Sequence, residues 1–107
     1  MMKDVTTAGQ DALMRDMGFS DVKRKWTVVE LLDLLPESVV VDGEEYYFVL
    51  RKYYHDESSM MLYEAAYEDL CRCALTGAYC NSECALDALF ALVVSLFMKN
   101  ILPHEKA

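Results

Sequence analysis

Residues 38–56 read SVVVDGEEYYFVLRKYYHD, and the reading of this stretch decides the fold. Two runs rich in Val, Tyr and Phe flank Asp42-Gly43, a dipeptide suited to the positive-φ positions of a type I′ turn. The stretch therefore reads as a β-hairpin. In its second strand Tyr46, Phe48, Leu50, Lys52 and Tyr54 point one way, and Tyr47, Val49, Arg51, Tyr53 and His55 the other. Both faces are partly apolar, so one helix cannot cover everything.

Downstream, Asp56 to Ser58 make a short polar turn. Residues 60–77, MMLYEAAYEDLCRCALTG, suit two readings. Their Ala, Leu, Met and Glu content fits a helix ended by Gly77, whereas a strand through about Tyr67 and a shorter one from Leu70 would extend the hairpin. The strand reading is preferred because an isolated hairpin is marginal in water.

Upstream, Thr7 and Gln10 fit a capping box for a helix over about residues 8–17, with Leu13 and Met17 on one face and Gly18 ending it. The triplet Met17-Gly18-Phe19 resembles the loop of ubiquitin-associated domains over ten residues, LMRDMGFSDV. That family continues with a longer helix, whereas here Thr27 already opens a new one, so the triplet reads as an ordinary glycine cap. Thr27 and Glu30 form a second capping box, with Trp26 and Leu31 in the staple positions and Pro36 limiting the helix. A last helix is expected from about Glu83 to Leu102, capped by Ser82, with Leu86, Leu89, Phe90, Val93, Phe97 and Ile101 on its buried face.

The expected fold is α+β: a small two-layer domain with an N-terminal helix or helices, an antiparallel meander of three or four strands, and a long C-terminal packing helix. A chain of 107 residues forms one domain, 1–107, with residues 1–6 and 103–107 read as frayed tails.

The formal charge is −8. Residues 1–25 carry four acids against five bases, while Glu37 to Asp69 carry nine acids against Arg51 and Lys52 alone. Such a surface repels a phosphate backbone, so direct nucleic-acid binding is not expected. The basic run Lys23, Arg24 and Lys25 reads as a solvated connection. The longest apolar stretch, Ala85 to Met98, has 14 residues, short of the roughly 18–20 that cross a bilayer. No membrane association and a cytoplasmic location are expected.

All four cysteines, Cys71, Cys73, Cys80 and Cys84, fall in LCRCALTGAYCNSEC, residues 70–84. If Leu70 to Leu75 were a strand, Cys71 and Cys73 would share one face and four thiolates could converge on zinc. C-x-C is a poor chelate spacing, however, and a reducing compartment disfavours disulfides. Buried, packing thiols are the preferred reading, with no cofactor; a four-cysteine zinc-binding structural module is the alternative.

His55, Asp56, Glu57, Ser58 and Ser59 hold residue types of acid–base chemistry, but as consecutive turn residues they make no catalytic constellation. The chain is read as a non-enzyme. Six tyrosines, Tyr46, Tyr47, Tyr53, Tyr54, Tyr63 and Tyr67, exceed what a core can hold with satisfied hydroxyls, and tyrosine is favoured at interfaces. The functional expectation is an acidic protein-interaction module, in its sharper form a phage or mobile-element inhibitor, docking on a basic, nucleic-acid-binding surface of a partner protein. Glu44, Glu45, Tyr47, Tyr53, Asp56 and Glu57 are the candidate contacts. Leu92, Val94 and Met98 widen the apolar face of the last helix, which adds a homodimer to the expectations.

Overall fold

Asp42 and Gly43 both adopt positive φ, 54° and 83°, and join β1 (Ser38–Val41) to β2 (Glu44–His55) with Val41 opposite Glu44. This is the hairpin that the sequence expects, in the turn class whose twist suits antiparallel strands. The computed structural model describes residues 5–19, 25–57 and 59–101; Lys23, Arg24, Ser58 and the tail beyond Ile101 lie outside them. A second short connection, with the Ser59 N–H donating to the His55 carbonyl at 2.8 Å, leads into β3 (Met60–Glu68). The fourth strand, β4, is Ala74–Ser82. The order β1-β2-β3-β4 is an antiparallel meander, and the strand reading of residues 60–67 holds.

The strand expected from Leu70 begins four residues later, at Ala74. Asp69 is the reason. Its carboxylate accepts the backbone N–H groups of both Cys71 and Cys73 at 2.9 Å, and its own N–H donates to the Cys73 carbonyl at 3.0 Å. These bonds hold residues 69–73 in a tight turn with Arg72 at φ 67°. An aspartate that satisfies local donors competes with the β-ladder. A second irregularity follows. Ala66 pairs with Tyr79 and Glu68 with Ala74, so four residues of β4 oppose Tyr67 alone, and Gly77 at φ 82° sits in that bulge.

Both predicted capping boxes are present, on α1 (Ala8–Asp16) and α2 (Val28–Leu34). At the end of α1 the Gly18 N–H donates to the Arg15 carbonyl and the Phe19 N–H to the Met14 carbonyl, a Schellman pair with Gly18 at φ 90°. The buried residues of α1 are Asp11 and Met14; of the pair Leu13 and Met17, expected on one face, Met17 is buried and Leu13 exposed. Leu35 is extended at φ −90° and ψ 122°, as the following Pro36 requires. Residues 5 and 6 are not a tail: Val5 bridges Thr27, and buried Thr6 donates its hydroxyl to Asp11 and accepts the Trp26 N–H at 2.9 Å.

The last helix, α3 (Ala85–Met98), is shorter than expected at both ends. Ser82 belongs to β4 and its hydroxyl accepts the Cys84 N–H at 3.3 Å, so Cys84 takes the N-cap position without a side-chain cap bond. At the other end Asn100, φ 62°, repeats the Schellman geometry of Gly18: its N–H donates to Phe97 and that of Ile101 to Leu96. The buried face is Leu86, Ala88, Leu89, Leu92, Val93 and Leu96. Phe90 and Phe97 sit at its margin, half-buried, with Phe97 tilted against Phe19 at 6.1 Å.

The architecture is α+β. α3 lies on one face of the sheet, contacting β3 and β4, with α2 beside it. Tyr67, Ala65, Val39 and Ala78 form the sheet side of the core. Gln10 on α1 donates to Asp87 on α3 at 2.9 Å, tying the N-terminal helix to the last one. Among the described residues no helix is long and apolar enough to cross a membrane.

Candidate interaction surface

Alternation along β2 sends Tyr47, Val49, Arg51, Tyr53 and His55 to the sheet face opposite α3, as anticipated. Antiparallel register adds the partners. Glu68 stands opposite Tyr47, Ala66 opposite Val49 and Glu64 opposite Arg51 on β3, and β4 contributes Tyr79 opposite Ala66 and Asn81 opposite Glu64. Among the described residues no helix buries this outer face: Tyr47 keeps 39% of its surface exposed and Tyr79 48%.

The centre of the face is a fork. The Arg51 guanidinium donates to Glu64 at 2.7 Å and to Glu68 at 2.8 Å. Both carboxylates are nearly buried, at 6% and 7% exposed, by the strands and aromatic rings around them. The hydrogen bond that Arg51 donates to Glu68, together with the two nearby carboxylate charges, holds the Arg51 pKa above its ordinary value, so that side chain is charged throughout the accessible range. Burial, and then the neighbouring Glu64 charge, raise the Tyr79 hydroxyl. Two acids share one base, which leaves a formal surplus of negative charge among three tyrosines.

Glu45 organises the near end. It accepts from Ser38 Oγ at 2.8 Å and from the Tyr47 hydroxyl at 3.0 Å, and that bond raises the Tyr47 pKa. Beside it a shallow cleft of about 280 Å³ lies between Glu44, Glu45, Tyr47, Asp69 and Leu70. Leu70 is 86% exposed.

The structure divides the predicted contacts. Glu44, Glu45 and Tyr47 cluster at one end of β2, whereas Asp56 and Glu57 occupy the turn at the other end. Ten residues of strand, Tyr46 to His55, separate Glu45 from Asp56, roughly 35 Å at the usual rise. Glu44, Glu45, Glu68 and Asp69 thus gather at one end of the sheet, and Asp56 with Glu57 makes a smaller acidic group at the other. Tyr53 lies between them on the outer face, within 3.5 Å of Asn81 through its hydroxyl and edge-on to His55 at 6.4 Å. Tyr67 is fully buried, and Tyr46 and Tyr63 line the core, with Lys52 over the Tyr63 ring at 5.4 Å. Glu64, Glu68 and Tyr79 were missed as site residues, because finding them needs the register of β3 and β4 and the bulge between them.

The cysteines separate likewise. Cys84 is buried and Cys80 half-buried beside Ser95 at 3.7 Å, which fits packing thiols, and burial raises the Cys80 pKa. Cys71 and Cys73 are exposed on the Asp69 turn, which corrects the reading of them as an alternating apolar strand face. Among the described residues no three of His, Cys, Asp and Glu are close enough together to hold a metal ion. Of the basic run, Lys25 sits 3.6 Å from buried Asp11 and its ammonium donates to the Thr6 carbonyl. The surplus apolar surface of α3 reduces to Met98 and half-buried Val94, since Leu92 is fully covered. No protein-family model, curated protein or solved structure matches this chain.

Proposed function

We propose that the chain is a non-catalytic, acidic interaction module whose outer sheet face docks on a basic surface of a partner protein. The observation that carries this reading is the fork itself: two nearly buried carboxylates on one guanidinium, beside Tyr47, Tyr53 and Tyr79 on a face that no described helix buries. Tyrosines supply contact area at low entropic cost, and a partner's Arg or Lys would find unbalanced negative charge in a partly desolvated setting. In its sharper form the module is an inhibitor, of the phage or mobile-element type, that occupies a nucleic-acid-binding surface.

Capture from the source cell, washed at rising salt, tests the proposal. Retention should fall steeply with ionic strength, since physiological salt screens charges beyond about 8 Å. Tyr47→Ala with Tyr79→Ala should abolish retention while the fold persists. Glu44→Gln with Glu45→Gln should weaken it, and Asp56→Asn with Glu57→Gln, about 35 Å away, should weaken it less. A partner held equally by the tyrosine double variant, with an unchanged salt slope, would refute docking through this face.

A further inference from the structure

β1 is an edge strand, and its register shows which of its backbone groups are free. The Phe48 N–H donates to the Glu37 carbonyl at 3.0 Å, so Glu37 and Phe48 form a hydrogen-bonded pair. Antiparallel alternation then assigns the same role to Val39 with Tyr46 and Val41 with Glu44. Ser38 and Val40 consequently turn their N–H and C=O groups away from β2, and among the described residues no strand takes them up.

Those groups open onto a cleft of about 640 Å³, lined in part by Asp33, Leu34, Pro36, Val39, Val40 and Ile101. Its floor comes from the ends of α2 and α3, its wall is the strand edge, and Val40 stands 67% exposed on the rim. Among the described residues the lining includes an acid and no base. The strand itself carries none of the lysines, prolines or bulges that usually shield a sheet edge.

We infer that this edge is a peptide site: an extended segment of a partner protein, alternating apolar and basic residues, adds to β1 as a fifth strand. Backbone bonds to Ser38 and Val40 would set its register, and its apolar side chains would enter the cleft over Leu34 and Ile101. Alternation sends its basic residues to the other face of the sheet, where Glu45 faces Val40. The same charge disfavours a second copy of this chain as the occupant, because two such edges would bring like charges together. The site lies on the strand edge and does not rest on docking through the tyrosine face.

The test is a titration of the isotope-labelled full chain with the peptide acetyl-KVKVKV-amide, followed at individual backbone amides. The Ser38 and Val40 amides should shift and gain protection from exchange, while those of Val39 and Val41 are protected from the start. The acidic counterpart acetyl-EVEVEV-amide should bind at least about tenfold more weakly, a difference of about 1.4 kcal/mol. Val40→Pro removes an outward donor without touching a β1–β2 bond and should abolish binding. If that variant fails to fold, Val40→Lys keeps the backbone and should weaken binding of the basic peptide. No response at the two amides at millimolar peptide, or equal binding of both peptides, would overturn the site. So would a dimer in ultracentrifugation whose Ser38 and Val40 amides are already protected.

Discussion

The Tyr67 hydroxyl is fully buried under the sheet and donates to the Pro36 carbonyl at 2.6 Å. Burial pushes its pKa far above the ordinary tyrosine value near 10. The sign of the pH effect follows from that direction. Below about pH 10 both folded and unfolded chains keep the proton, so its contribution to stability is constant. Above that, only the unfolded chain ionises freely, and stability falls as pH rises. Tyr67→Phe should cost about 1 kcal/mol at neutral pH, for one lost hydrogen bond, and should flatten the alkaline decline. Denaturant melts from pH 7 to 11 measure both effects. Arg51 makes the opposite demand. Arg51→Met strands two nearly buried carboxylates and should cost roughly 1–3 kcal/mol, less than a fully buried pair because the Arg51 side chain is itself 40% exposed. Adding Glu64→Gln and Glu68→Gln should restore most of that loss in urea titrations.

The turn at residues 69–73 shows where sequence pattern gave out and why. The alternation of Cys71, Cys73 and Leu75 looked like a strand face, but Asp69 captures two backbone N–H groups and closes a turn instead. One side chain outbid a three-residue pattern, and nothing in the spacing announces which will win. By contrast, Asp42-Gly43, Thr7 with Gln10, and Thr27 with Glu30 were legible, because each motif closes its own hydrogen bonds within four residues. The α3 stripe was half legible: Leu86, Leu89 and Val93 were placed correctly, whereas the choice between Leu96 and Phe97 turns on how the helix is rotated against the sheet. Thiol chemistry checks the corrected turn. Native protein should present two fast-reacting thiols, Cys71 and Cys73, and two slow ones, Cys80 and Cys84, the former pair being exposed and the latter shielded. Four equally protected thiols that become reactive only in strong chelator would restore the zinc alternative.

Across the whole molecule the outstanding property is charge: a formal −8 on a body 39 × 39 × 18 Å in extent, with acids at both ends of β2. Self-repulsion on a slab only 18 Å thick opposes folding. Raising sodium chloride from low ionic strength towards physiological levels should therefore raise the thermal midpoint by a few degrees, about 1 kcal/mol for a domain this size. A midpoint that falls instead would mean that the Arg51 fork and the Lys25–Asp11 pair outweigh the repulsion. The candidate surface was only partly legible, since Tyr47 and Glu45 lie on one strand while Glu64, Glu68 and Tyr79 required three strands in register. The meander also has a temporal consequence. Its short turns join neighbours in the chain, so strand pairing can begin locally and quickly. Leu86, Leu89, Leu92 and Val93, which cover the sheet, are translated only after all four strands. During synthesis the paired strands must therefore wait with Tyr67 and Ala65 bare, and that interval on the ribosome is when this chain is most open to chaperones, proteases and its own aggregation.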